Sequence, residues 1–361
     1  MSRVSSDEDI AAPNEGAPAL SNGLNAGSKG SAGGLPDSEP MSTTEPAAPA
    51  GATSRLEGKT SPAARPTPWF TLARIIFVRK FLMGWAHIFG MSGLYFLGQI
   101  FGTCEFLVDY RRRGRVLRKL KDLFGDDFTP RERVAHARRY FMRIRCDKMF
   151  YTIMDRIPRG KLLNRIKFIG REHIDAGLAR GKGVYVALCH FGSHYVAGLM
   201  MALLGYEISG LRDPKESAVR RFIQGKYRES FPEVARMQVF PANSFPRQVY
   251  RRLQNNTIVS SLIDPDRRRG ENTKTTRVTM FGEPREILAG PLQIAFRCGS
   301  TTVQGFVISK KNFYYQLIVM PPLIDPGREK DDDETINLVA QRYADSVEEY
   351  ARRHPDHLMN I

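Results

Sequence analysis

The chain has 361 residues, with 54 Lys and Arg against 38 Asp and Glu for a net charge of +16, and 42% of its residues are hydrophobic. Length and apolar fraction suffice for one or two domains with real cores, and they exclude collagen, coiled coils and small disulfide scaffolds. The four cysteines, Cys104, Cys146, Cys189 and Cys298, lie far apart with no C-x-x-C pair, so neither a structural zinc site nor a disulfide framework is expected.

Residues 1–65 hold 12 Ala, 10 Ser, 8 Gly and 7 Pro with no aromatic. Such a composition buries too little apolar surface to offset the entropy of ordering, so the stretch reads as a disordered tail. Its five basic and eight acidic residues give −3, which leaves +19 on the rest of the chain. Acidic Asp7, Glu8 and Asp9 open it and no apolar run follows them, unlike a secretory signal.

The 24 residues 81–104 contain no Lys, Arg, Asp or Glu, and a helix of that length crosses about 30 Å of hydrocarbon. Five glycines interrupt them, Gly98 and Gly102 in G-x-x-x-G spacing, and basic residues flank both ends: Arg74, Arg79 and Lys80 before, Arg111, Arg112, Arg113, Arg115, Arg118, Lys119 and Lys121 after. Two basic flanks fit a segment, 69–110, that lies in or dips into one leaflet better than a simple crossing. The alternative is a buried core hairpin. Nucleic acid is not expected as a partner, because the arginines abut an apolar segment instead of interleaving with stacking aromatics.

Beyond residue 110 the pattern becomes that of an alternating α/β domain, 111–361. Residues 129–149 form an Arg-rich amphipathic helix opened by Thr129, Pro130 and Glu132, the signature of a capping box. Short apolar runs with strand character follow at 183–189, 207–211, 237–240, 257–263, 301–308 and 313–319. Helix-period stretches separate most of them, at 194–204, 215–229, 244–254, 290–298 and 334–353. The alternation predicts an α/β fold with a mixed, largely parallel sheet flanked by helices.

The run G-V-Y-V-A-L-C ends at Cys189, Gly192 breaks it and a helix follows. His190 therefore falls at the carboxyl end of a strand, where open α/β sheets place ligands. An imidazole with a pKa near 6.5 suits proton abstraction from a hydroxyl at neutral pH, and amides at the helix start could steady a developing oxyanion. Strand alternation turns Cys189 to the other side of the sheet, as a buried inert thiol in preference to a nucleophile. His190 and His194 stand i, i+4 and would share a helix face as metal ligands do. Phe191 takes the place of the Glu in H-E-x-x-H, however, and no third ligand is apparent. His194 reads otherwise as a polar residue at a pocket mouth, or as a surface or core histidine.

From about residue 97 to 357 the chain resembles the lipid A biosynthesis (lauroyl/myristoyl) acyltransferases and the related phosphatidylinositol mannoside acyltransferases. The segments that carry the resemblance, in order, are D-Y-R-R-R, F-I-G-R-E-H-I-D-A-G-L-A-R-G-K-G-V, H-F-G-S-H-Y-V-A-G-L, D-P-D-R-R-R-G and M-F-G-E-P-R-E-I-L-A-G-P-L-Q-I-A-F-R-C-G-S. It implies a glycerolipid-acyltransferase-like fold with an N-terminal membrane-associated helix at a cell inner membrane, its catalytic domain on the cytoplasmic face. The activity it implies moves a fatty acyl group from acyl carrier protein or acyl-CoA to a hydroxyl or amine of a membrane lipid or glycolipid, with no further cofactor or metal.

Family members carry H-x4-D/E. Here His190 matches the base and Tyr195 stands where the acid should be. A phenol is neutral at pH 7, so it can orient an imidazole but offers no charge to an imidazolium. That departure leaves two functions open: an acyltransferase, or a lipid-binding relative that has lost catalysis. In the family's pattern Asp264 or Asp266 could supply the missing acid; Asp264 reads equally as the cap of an Asx turn. Arg267, Arg268 and Arg269, helped by Lys274 and Arg277, make either a cationic loop for phosphate or a solvated basic face. Gly192 and His194 fall with the substrate-binding positions, and Arg228 where the family has an arginine near the acceptor.

Overall fold

A computed structural model describes residues 69–212, 217–241, 245–264 and 274–358. The 1–65 tail, Asp266, Arg267, Arg268 and Arg269 lie outside the described residues. The helices are α1 (Trp69–Val108), α2 (Tyr110–Phe124), α3 (Pro130–Ile153), α4 (Arg159–Leu163), α5 (Arg171–Ala179), α6 (His194–Leu203), α7 (Ala218–Ser230), α8 (Pro232–Arg236), α9 (Phe245–Gln254), α10 (Gly290–Arg297) and α11 (Asp333–Arg353). The strands are β1 (Ile166–Ile169), β2 (Val184–Leu188), β3 (Ile208–Arg212), β4 (Gln238–Pro241), β5 (Ile258–Leu262), β6 (Thr275–Met280), β7 (Glu283–Leu288), β8 (Thr301–Ser309) and β9 (Tyr315–Val319).

Seven strands pair in the order β1-β9-β8-β2-β5-β3-β4. Every pairing is parallel except β8 with β9. The sheet is therefore mixed and largely parallel, as the alternation predicts. Its central strands are apolar on both sides: Tyr185 and Ala187 enter a core with α9, α10 and α11, whereas Val184 and Val186 enter one with α3, α6 and α7. Two buried faces explain why these strands read as continuous apolar runs instead of alternating ones. The predicted α3 is present with both halves of its capping box, Thr129 with Glu132. A separate antiparallel hairpin, β6–β7, turns at Phe281 and Gly282, both at positive φ (53° and 74°), the geometry of a tight I′-like turn.

The apolar segment is one helix by hydrogen bonding but not by direction. Gly90, at φ 68° and ψ −175°, breaks α1 into two halves. Arg79 fixes the first half: buried among apolar neighbours, it donates to both carboxylate oxygens of Asp155 at 2.9 and 2.8 Å, and also to the Thr152 carbonyl. The second half lies on α3 through its small residues. A Cβ at Gly98 would stand 2.7 Å from Cys146 Sγ, and one at Gly102 2.4 Å from Met142 Cα. The G-x-x-x-G pair thus serves close helix approach within the chain. By length and composition α1 could cross a membrane, and only 22% of its most apolar window is buried. Trp69, Phe77, Ile88, Phe96 and Leu107 all face outward, which a core hairpin would not permit.

Candidate active site

The parallel register of β2 and β5 aligns Leu188 with Leu262. Two residues further along each chain stand His190 and Asp264, so the register alone sets them side by side at the carboxyl edge of the sheet. The contact is two-pronged. Asp264 Oδ2 accepts the His190 backbone N–H at 2.7 Å, and Oδ1 lies 3.1 Å from ring Nδ1. The backbone bond locks the carboxylate in place, and the ring bond, with Nδ1–H donating to Oδ1, makes Nε2 the basic nitrogen of the ring. The His190 side chain is 16% exposed and that of Asp264 9%: mostly covered, with an opening left.

Tyr195 lies elsewhere. Its ring packs edge-on against Tyr151 and His194, and its hydroxyl reaches Ser193. Burial, and behind it the Asp147 carboxylate, push its pKa well above the ordinary phenol value, so it remains neutral. The carboxylate against His190 is Asp264, and Tyr195, five residues on from the histidine, contributes a neutral wall.

His190 precedes α6, so the i, i+4 argument for a shared helix face with His194 fails; the two rings stand 5.2 Å apart, edge to face. Burial, then the charges of His190 and Arg220, depress the His194 pKa to about 3, which keeps it neutral and apolar in effect. Among the described residues no group of three or more His, Cys, Asp or Glu is placed to hold a metal ion. Cys189 is buried, and burial followed by the Asp264 charge raises its pKa, as an inert thiol requires.

The amides of the turn that precedes α6 are already engaged. His190 N–H goes to Asp264, Phe191 N–H to the Cys189 carbonyl, Gly192 N–H to the His357 carbonyl and Ser193 N–H to the Val307 carbonyl. Gly192 itself serves the backbone: at φ 56° it presses so near β8 that a Cβ would lie 1.9 Å from Val307 O. Gly192→Ala is expected to cost about 2–4 kcal/mol, left-handed strain plus overpacking, read as a lowered midpoint in chemical denaturation. A midpoint within error of the unaltered chain would contradict the assignment.

Arg228 lies in the last turn of α7, exposed, with Nη2 donating to the Met237 carbonyl at 3.4 Å. The arginine of that helix whose charge is felt at His194 is Arg220, in its first turn.

A buried ionic network behind the turn escaped sequence reasoning. Asp147 accepts from Arg143 Nη1 (3.1 Å), Ser193 Oγ (2.6 Å), Ser309 Oγ (2.8 Å) and Tyr315 Oη (3.1 Å). Arg143 Nε also donates to the Asp356 carbonyl at 2.9 Å, and His357 Nε2 accepts the Ser309 amide at 3.1 Å. Residues 355–358 are thereby strapped over the turn, Leu358 bridging to Phe191. A signal existed: Asp147 is the one acid between Glu132 and Asp155 in an otherwise basic helix, and it stands four residues from Arg143.

A histidine and a carboxylate in contact at the carboxyl rim of a mixed sheet define an α/β protein with a His–Asp pair. The chain belongs to the bacterial lipid A biosynthesis acyltransferase family, which it matches over residues 67–361. It is also 31% identical over 138 residues to the phosphatidylinositol mannoside acyltransferases of Mycobacterium tuberculosis strains CDC 1551 / Oshkosh and ATCC 25618 / H37Rv. That match covers 36% of this chain, and the chain spans 40% of the length of each of these relatives.

Proposed function

We propose that the protein is a membrane-associated acyltransferase that moves a fatty acyl group from an acyl thioester, on acyl carrier protein or coenzyme A, to a hydroxyl or amine of a lipid or glycolipid. The observation that carries this reading is the contact of Asp264 with His190 in a member of this family, since it provides the charged partner that Tyr195 cannot. Nε2 of His190 takes the proton of the acceptor hydroxyl as its oxygen attacks the thioester carbonyl. The C–S bond breaks, and the departing thiolate receives the proton from the imidazolium. Products are an ester and a free thiol, with no acyl-enzyme required. Asp264 holds the tautomer and offsets the transient positive charge. The first-turn amides of His194 and Tyr195, which have no partner inside α6 by helix geometry, are the donors left for the oxyanion.

Neutral His194 and Tyr195 supply a wall of low polarity in which that charge pairing gains strength. Arg267, Arg268 and Arg269 follow Asp264 in sequence and are the candidates for a phosphate of the carrier or of a phospholipid headgroup, with Asp266 the second acid of that stretch. The outward apolar face of α1 supports attachment to a membrane, with the catalytic residues on the cytoplasmic side of a cell inner membrane in this proposal.

His190→Ala is expected to lower transfer from labelled acyl thioester to membrane lipid by about 10²–10⁴-fold, the range of general-base assistance, with protein yield unchanged. Transfer by the variant at the unaltered rate would remove His190 from the mechanism. Lipid binding without any transfer by the unaltered chain would instead support a non-catalytic relative.

A further inference from the structure

The turn that carries His190 is fastened at both ends. At its exit the Gly192 amide bonds the His357 carbonyl at 2.7 Å. At its entry the last carbonyl of β2, that of Leu188, accepts from two donors: the Ile263 amide at 3.1 Å and the Tyr343 hydroxyl of α11 at 3.0 Å. A carbonyl oxygen has two lone pairs, so both are filled. The Ile263 bond ties the end of β2 to the end of β5, one residue before Asp264, and the peptide that follows the Leu188 carbonyl leads through Cys189 to His190.

Tyr343 is 0% exposed and belongs to the same apolar core as Ala187, Cys189 and Phe306. A phenylalanine would fill that space equally, and an unbonded hydroxyl there would cost free energy, so the oxygen's place in the core depends on its bonds. The Cys189 thiol bonds the same oxygen; with the thiol as donor, the phenol proton is left for Leu188. Burial, then the Asp264 charge, raise the Tyr343 pKa well above the ordinary phenol value, so the hydroxyl stays protonated and remains a donor. The backbone of this residue is pinned as well. Gln304 Nε2 donates to the Tyr343 carbonyl at 3.2 Å, and Gln304 of β8 lies in register with Ala187 of β2. One residue of α11 is thereby fastened to two neighbouring strands, through its carbonyl to β8 and through its hydroxyl to β2.

The partner strand has its own anchor, since the Ile263 carbonyl accepts the Leu288 amide of β7 at 2.8 Å. The side of the pair that hangs on a side chain is therefore the histidine's. We propose that Tyr343 is a positioning residue for the His190–Asp264 pair: its hydroxyl orients the Leu188–Cys189 peptide and so sets how the imidazole meets the carboxylate. It acts through the backbone and touches neither the imidazole nor a substrate. The inference rests on the catalytic reading above and adds a residue to it.

The test uses the full chain in detergent and Tyr343→Phe, which keeps the ring and removes the oxygen. This variant is expected to lower kcat for acyl transfer by about tenfold, since misplacing reacting groups by about 1 Å costs up to about 10²-fold, with both KM values within about twofold. A kcat within about twofold of the unaltered chain would overturn the assignment. Val339→Ala, one turn earlier in the same core, removes packing without touching the hydroxyl; it should lower the denaturation midpoint and leave kcat within about twofold. A tenfold fall there would make loosening of α11 the cause and overturn the assignment. In an Asp264→Asn background, loss of the hydroxyl should cost less than about twofold more, because a residue that acts through the pair has nothing left to position; a further tenfold loss would overturn it. A last readout needs no turnover. With isotope-labelled histidine, the Nδ1–H proton of His190, assigned by its loss in His190→Ala, should resonate downfield in the unaltered chain and move upfield in Tyr343→Phe; an unmoved resonance would overturn the positioning role. If the unaltered chain transfers nothing and that resonance still moves, the catalytic reading falls and the positioning of the histidine stands. Transfer that needs His190 and ignores the Tyr343 hydroxyl would overturn the positioning role and leave the catalytic reading standing.

Discussion

Asp264→Asn is expected to lower kcat by about 10²–10⁴-fold while leaving KM and the denaturation midpoint nearly unchanged. The size follows from what the carboxylate does at two points. Oδ2 accepts the His190 amide at 2.7 Å and Oδ1 faces Nδ1 at 3.1 Å. An asparagine can place only one oxygen there. The backbone amide is a fixed donor and claims it, which turns the new NH₂ toward the ring. Nδ1 must then become the acceptor and Nε2 carries the hydrogen, so the nitrogen that should remove a proton already holds one. A carboxylate-to-amide change of this kind in a Ser-His-Asp triad costs about 10⁴ by the same loss of tautomer, and the lower end of the range is that of general-base assistance as a whole. The check is steady-state acyl transfer by the purified variant, with the lipid acceptor and the thioester varied separately. A kcat within about threefold of the unaltered chain would mean that Asp264 only caps the turn.

That pair was half legible in the sequence. His190 and Asp264 each end an apolar run, and open α/β sheets gather functional groups at such ends. The sequence does not state which strands are neighbours, so the register that aligns the two residues had to come from the fold. Of the strands, β2, β3, β4, β5, β8 and β9 were legible because burial on one or both faces leaves short apolar runs between breakers. The strand β1 has four residues, I-K-F-I, and its partner is β9, too short a run to stand out. The β6–β7 hairpin is rich in charged and hydroxyl residues and buries mainly Val278, Met280, Ile287 and Leu288 against its neighbours, so its period is obscured. Tyr195 misled in a different way. Spacing along the chain located the expected acid, but the group that meets the imidazole arrives from another strand. Arg228 and Arg220 illustrate the same limit, since eight residues of helix separate an exposed arginine from one that acts on His194.

The Asp147 network sets the second large expectation. Asp147 is 3% exposed and accepts from one guanidinium and three hydroxyls. Removing it by Asp147→Ala leaves Arg143, itself 8% exposed, without its nearest carboxylate and takes an acceptor from Ser193, Ser309 and Tyr315. Breaking a buried pair in this way costs about 3–5 kcal/mol. Arg143 keeps the Asp356 carbonyl at 2.9 Å and a carboxylate oxygen at 3.9 Å, which places the expected loss near the lower figure. The damage should not stop at stability. Arg143 ties residues 355–358 to α3, and the His357 carbonyl holds the Gly192 amide at 2.7 Å, so the strap that fixes the turn after His190 loosens when Arg143 loses its anchor. Asp147→Asn retains an oxygen for the hydroxyls and removes the charge, so it should fall between the unaltered chain and Asp147→Ala. Chemical denaturation of the three proteins in one detergent, followed by circular dichroism, gives the order directly. A loss under about 1 kcal/mol for Asp147→Ala, with cooperative unfolding preserved, would show that the strap is held by its backbone hydrogen bonds and apolar contacts instead of by this carboxylate.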